Sequence, residues 1–378
     1  MPQITRRQFL YTSAAATLVT RRAFSQSPTH QLLVGTQTHT GTSKGIYACS
    51  FQNGDLSQQR LAAETDNPTF LALSPNKRVL LAANELDIYE SKPGGAVTTF
   101  ALANNRLTRI NVVPSQGAGT CHVAFDHTGR SAFAANYSGG SAASFTISPE
   151  GRLSPAVSFF QYTGSGPNQA RQEAPHAHRV TVSPDNRFLL VNDLGLDCIH
   201  IYHLDSGTAQ LTPNEPAAWH STPGSGPRAL QFHPNGRVAY CVTEMASTVV
   251  VLRWNARPGI LETIQELPMR PPDFQGTTAG DDIVLDPHAR FAYATDRFDD
   301  IIVTFAVSPT DGILTLLNRI SCGGKVPRHL TLDPTGQWLL VANQASDNIA
   351  IFNRNPQTGH LTPTKTLPIS RPQCLLFL

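Results

Sequence analysis

The chain has 378 residues, of which 15% are charged and 40% apolar, with 27 glycines, 28 prolines and a net charge of +2. An average domain carries roughly 25% charged residues, and here the Lys and Arg are scattered, which argues against the clustered basic face of a nucleic-acid binder. So much Gly and Pro, without long runs at helical period, excludes a helical bundle and points to an all-β fold.

In chain order, Thr5-Arg6-Arg7-Gln8-Phe9-Leu10 and the mildly apolar YTSAAATLVT behind it match the twin-arginine export pattern. Residues 1–26 therefore read as a twin-arginine signal peptide and 27–378 as one folded domain, placed in the periplasm or otherwise outside the cytoplasm. Ten weakly apolar residues are too few to cross a bilayer, so no membrane span is expected in the mature chain. Gly41-Thr42-Ser43-Lys44-Gly45 fits the G-x-S-x-G pattern, but a nucleophile elbow needs a strand-to-helix turn, and this loop joins two strand-like runs. Ser43 reads as a loop residue.

From Asn67 onward one unit recurs: NPTFLALSPNKRVLLAANE, then GTCHVAFDHTGRSAFAANY, PHAHRVTVSPDNRFLLVND, GPRALQFHPNGRVAYCVTE, AGDDIVLDPHARFAYATDR and VPRHLTLDPTGQWLLVANQ. Each is a strand, a Pro/Gly/Asn turn and a second, fully apolar strand. The turn residues Pro75, His127, Pro184, Pro234, Pro287 and Pro334 lie 52, 57, 50, 53 and 47 apart, the spacing of four-stranded propeller blades. Six units are complete. The seventh is split: the terminal Arg371-Pro-Gln-Cys-Leu-Leu-Phe-Leu378 reads as a first strand and Leu32–Gln37 as the second. The expected fold is an all-β, seven-bladed propeller closed by pairing of the N- and C-terminal segments, which leaves no long unpaired edge. The six cysteines have no metal-ligand spacing and read as buried thiols.

If first strands line the channel, the start of each first strand and the end of each second strand open on one face. The plain turns occupy the other. That chemical face gathers Glu85, His122, Asn136, His176, His178, Asp193, Arg228, Glu244, Asp282, Arg297, Arg328 and Gln344, a set that suits a small anionic or polyhydroxylated, oxygen-rich ligand. His176 and His178, at i and i+2, could pair on a metal with Asp193 as third ligand, but the preferred reading has no metal and no cofactor.

In these stretches, together with ANYSGGS, RQEAPHAHRV, DRFDDI and VANQASDNI, the chain resembles the seven-bladed lactonase family of propeller-type 6-phosphogluconolactonases and carboxymuconate cyclases. The resemblance implies catalytic groups at His178, Arg228, Glu244 and Arg297, with substrate contacts from Glu85, His122, Asn136, His176, Asp193, Asp282, Arg328 and Gln344. One departure is Ala229, where the family pattern Gly-Pro-Arg-His has its imidazole. The implied activity is hydrolysis of a sugar lactone by water, with Glu244 or His178 as base and the arginines holding the oxyanion. A muconate-type lactonising cyclase and a non-catalytic ligand-binding propeller are the alternatives.

Overall fold

The computed structural model describes residues 28–378; the signal-peptide reading of residues 1–26 lies outside the described residues. Among those described there is no helix, and seven four-stranded antiparallel sheets account for all strands except a short ribbon, Ile88–Tyr89 with Lys92–Pro93. Blade 1 begins with the innermost strand Pro68–Leu73, blade 2 with Thr120–Phe125, blade 3 with Ala177–Val182, blade 4 with Pro227–Phe232, blade 5 with Gly280–Leu285 and blade 6 with Pro327–Leu332. Blade 7 takes its innermost strand, Pro372–Phe377, from the C-terminus and its next three, His30–Thr36, Gly45–Gln52 and Asp55–Glu64, from the N-terminal part of the chain. Leu32 pairs with Phe377 and Val34 with Leu375, so the ring closes as the split repeat requires. Each innermost strand packs against the next around the ring, from blade 1 through blade 7 and back.

The hairpin turns form locally. The residue before each turn accepts backbone N–H groups from beyond it: Ser183 Oγ from Phe188 N (3.0 Å), Asp126 Oδ1 from Arg130 N and Ser131 N (2.9 Å each), Asp286 Oδ1 from Phe291 N (2.8 Å). Each turn ends on a left-handed residue, which is glycine at Gly129, Gly236 and Gly336. The second strands, such as Phe188–Asp193 and Val238–Thr243, are buried along their whole length between neighbouring blades. Tyr240 and Val242 of blade 4, for example, share an apolar cluster with Ala292 and Phe305 of blade 5. All six cysteines are buried and unpaired, as expected.

One irregularity repeats in every blade and builds the channel. The register between first and second strands slips by one residue near the start of each first strand: Ala177 pairs with Asp193 but Arg179 with Asn192, and the same slip occurs in the other six blades. The extra residue of a bulge re-aims its side chain to the face of the residue that follows it. Those extra residues are Thr69, Cys121, His178, Arg228, Asp281 with Asp282, Arg328 and Gln373, one position from each of seven blades.

Candidate active site

Six of the bulged residues line one end of the channel: Thr69, Cys121, His178, Arg228, Arg328 and Gln373 share a cavity with Phe70, Glu85, His122, Arg179 and Asp282. Directly above it is a cup of about 220 Å³ lined by Glu85, Cys121, Tyr137, His178, Glu244, Arg297 and Arg328. This lies below the roughly 300–1,000 Å³ of drug-sized sites and suits one sugar-sized ring. Glu85, Tyr137, Glu244 and Arg297 share a structural position, the first residue after a second strand.

The floor comes from the next residue of each first strand. Arg179 Nη1 lies 2.7 Å from Asp282 Oδ1, and His329 Nε2 is 3.8 Å from Asp282 Oδ2. His122 packs against Phe70 at a 35° tilt with ring centroids 3.9 Å apart. Arg179 is in blade 3 and Asp282 in blade 5, so this pair spans blade 4 at Ala229, the position where the family's imidazole is missing. His122 and Arg179 also line the cavity at the opposite mouth, so the floor divides the channel in two.

Electrostatics sort the walls. Glu244, 1% exposed, is gripped by three guanidinium groups: Arg171, Arg297 Nη2 at 2.7 Å and Arg228 Nε at 3.2 Å. Burial opposes its ionisation, yet Arg297, Arg228 and Arg171 together hold its carboxyl below the usual range. Asp281 pairs with Arg228 Nη2 at 2.8 Å, and burial pushes its carboxyl up to about 6 against the pull of Arg228, Arg328 and Arg297. Among the described residues the ring nitrogens of His178 find no hydrogen-bond partner; its imidazole meets Tyr137 edge-on, at 5.9 Å between centroids. Burial, reinforced by Arg228 and Arg328, drives His178 well below its ordinary value, so the ring is neutral at pH 7 with a lone pair available to the cup. Among the described residues Arg328 has no carboxylate partner, and its Nε donates to Gln373 Oε1 at 3.0 Å.

Four of the twelve expected site residues reach neither the cup nor the cavity beneath it. Asn136 is fully buried, donating to Ser115 O and Ser141 Oγ and accepting from Thr120 Oγ1. Asp193 Oδ1 takes the N–H groups of His176, Gly195 and Leu196, which ties the side chain to the backbone at the ends of its hairpin. Both end a second strand, and side chains alternate along a strand, so in blade 2 it is the residue after Asn136, Tyr137, that lines the cup. His176 stacks on Tyr137 (4.5 Å) with Nδ1 3.1 Å from the Tyr137 carbonyl oxygen and so supports the wall from behind. Gln344 bonds Gln37 across blades 6 and 7 (3.0 Å). Among the described residues no three His, Cys, Asp or Glu side chains converge as metal ligands. Conversely, Arg171, Arg179 and Gln373 belong to the site without having been expected there, whereas Tyr137 and Asp281 fall on the face the repeat had marked as chemical. Arg171 comes from the segment before blade 3, whose neighbour Gln172 is buried and donates to Leu194 O (2.8 Å).

The family described as Lactonase, 7-bladed beta-propeller matches residues 31–377. This chain is a member of the seven-bladed lactonase propellers. It is 33% identical to a 6-phosphogluconolactonase of Bacillus subtilis over 91% of this chain and 97% of that one, and 31% identical to a 6-phosphogluconolactonase of Formosa agariphila over 87% and 94%. Among solved structures, the periplasmic gluconolactonase of Pseudomonas aeruginosa superimposes with a TM-score of 0.86 at 32% identity, covering 93% of this chain and 99% of that one. In this lactonase propeller the four positions implied by the family resemblance, His178, Arg228, Glu244 and Arg297, all border the same cup or the cavity beneath it.

Proposed function

We propose that the chain is an exported lactone hydrolase that opens a sugar lactone by direct attack of water. The observation that carries this is the neutral, unpartnered imidazole of His178 facing a cup walled by guanidinium groups. Water bound beside His178 gives it a proton as the oxygen attacks the lactone carbonyl carbon. The resulting oxyanion is held by Arg328 and Arg297, donors fixed before the reaction begins. Collapse breaks the ring C–O bond, and the imidazolium returns its proton to the departing alkoxide, which yields the open hydroxy acid. The environment that disfavours imidazolium makes this return easy. Glu244 is the anchor of three arginines in this scheme and not the base, because its lone pairs are already engaged by cations. Export is supported by the Arg6-Arg7 pattern and by the periplasmic relative.

His178→Asn is expected to lower kcat on glucono-1,5-lactone by roughly 10²–10⁴-fold with a small change in KM. Full kcat in that variant, measured by pH-stat against the uncatalysed rate, would remove His178 as the base. Ser43→Ala is expected to be silent, because Ser43 Oγ donates to the Ser370 carbonyl between blade-7 segments and lies outside the cup. A burst of product in the parent enzyme, lost in Ser43→Ala, would show a serine nucleophile.

The pH dependence has a predicted sign. Above about pH 6 Asp281 is ionised and holds Arg228; as the pH falls through about 6 it takes up a proton and that hold is lost. Catalysed kcat/KM is therefore expected to be level from pH 7 to 8 and to fall below about 6, with the acid limb absent in Asp281→Asn. An unchanged limb in that variant would assign the titration to another group.

A further inference from the structure

Among the described residues, Glu85 is the one carboxylate of the cup that pairs with no cation. It follows the second strand of blade 1, lines both the cup and the cavity beneath, and is held by its backbone: Glu85 N donates to Asn67 O (3.0 Å), and Glu85 O accepts from Asn67 Nδ2 (2.7 Å). Its side chain makes no hydrogen bond or ion pair with any described residue. It lies close enough to the channel wall that its charge adds to burial in raising the Cys121 thiol. The other acids differ: Glu244 and Asp281 are tied to arginines and Asp282 to Arg179.

The charges can be counted. Arg171, Arg228, Arg297 and Arg328 contribute four positive charges, Glu244, Asp281 and Glu85 three negative ones, and Arg179 cancels Asp282, leaving +1. A lactone that is neutral in the ground state develops one negative charge at its carbonyl oxygen during attack, and a cup at +1 matches that change. A phosphorylated lactone brings about two further negative charges into a site where only Arg328 is unpaired and Glu85 repels them. The free carboxylate instead accepts hydrogen bonds from hydroxyl groups, which a polyhydroxylated neutral ring supplies.

We infer that Glu85 is a specificity-determining residue that selects an uncharged polyhydroxy lactone and rejects its phosphorylated counterpart. This deepens the lactonase reading and rests on it. Selection works by the unpaired charge: Glu85 accepts ring hydroxyls and raises the energy of any second anion in the cup.

The test compares the full chain with Glu85→Gln, which keeps the shape and removes the charge. Because the side chain has no protein partner, the variant is expected to keep the parent Tm. Hydrolysis of glucono-1,5-lactone and of its 6-phosphate is followed for both proteins at pH 7 and low ionic strength. The parent is expected to prefer the neutral lactone, and Glu85→Gln to raise the ratio of kcat/KM for phosphorylated over neutral substrate by about tenfold or more, as expected for one charge removed at close range. A parent that prefers the phosphorylated lactone, or an unchanged ratio in the variant, overturns the inference. A second arm is independent of turnover: Kd for inorganic phosphate, by calorimetry, is expected to tighten several-fold in Glu85→Gln, and an unchanged Kd overturns the inference. If neither lactone is turned over, the hydrolase reading fails while the phosphate arm still decides Glu85.

Discussion

Glu244→Gln is expected to abolish most activity and to destabilise the protein by about 3–5 kcal/mol, the cost of removing one partner from a buried ion pair. Glu244 is 1% exposed and lies against Arg171, Arg228 and Arg297; Arg228 is itself 4% exposed and keeps only Asp281 once Glu244 is neutral. The amide can accept from one guanidinium, but its NH2 end points a donor at another, so at least one buried cation is left against a donor. The arginines of the cup then lose their fixed aim, and kcat/KM is expected to fall by 10² or more because oxyanion stabilisation depends on pre-set donors. Denaturant unfolding and steady-state kinetics measured on the same preparation check both effects. A large loss of activity with unchanged stability would make Glu244 the base and displace His178 from that role.

Deleting the last eight residues, Arg371 to Leu378, is expected to cost the folded state as a whole. Pro372–Phe377 is the innermost strand of blade 7, paired along His30–Thr36 and packed against blades 1 and 6. Cys374 and Leu375, each 1% exposed, sit in the clusters on its two sides. Without them, the edge of the N-terminal strand is bare, two inter-blade clusters open, and Gln373 is lost from the channel wall. The expected result is aggregation or loss of the cooperative thermal transition. A truncated chain that melts at the parent temperature with parent activity would show that closure does not depend on this strand.

The repeat was legible because blade formation is local. A Ser, Asp or His before each turn, a left-handed residue at its end and an apolar second strand are all set by neighbours in the chain, so period, blade count and split closure follow from the residues alone. The chemical face was legible too, since plain turn residues mark one end of every hairpin and polar groups the other. Aligned repeats even contain the channel column, Thr69, Cys121, His178, Arg228, Asp281, Arg328 and Gln373, at one shared position of each first strand.

What that alignment could not show is which neighbouring column points inward. Strand period puts successive side chains on opposite sides, and the bulge in each blade resets that alternation by one. For this reason Asn136 and Asp193 turned out to tie loops, while Tyr137, one residue beyond Asn136, lines the cup. Pairings across the ring were also invisible. Arg171 reaches Glu244 from 73 positions away and Arg179 reaches Asp282 from 103, because closure of the ring brings blades 3, 4 and 5 around one axis. The state of each group followed from that. Glu244 lost its basicity to three guanidinium groups, and His178 and Glu85 were left without partners. Sequence supplies the list of charges, but only the closed ring determines which of them cancel.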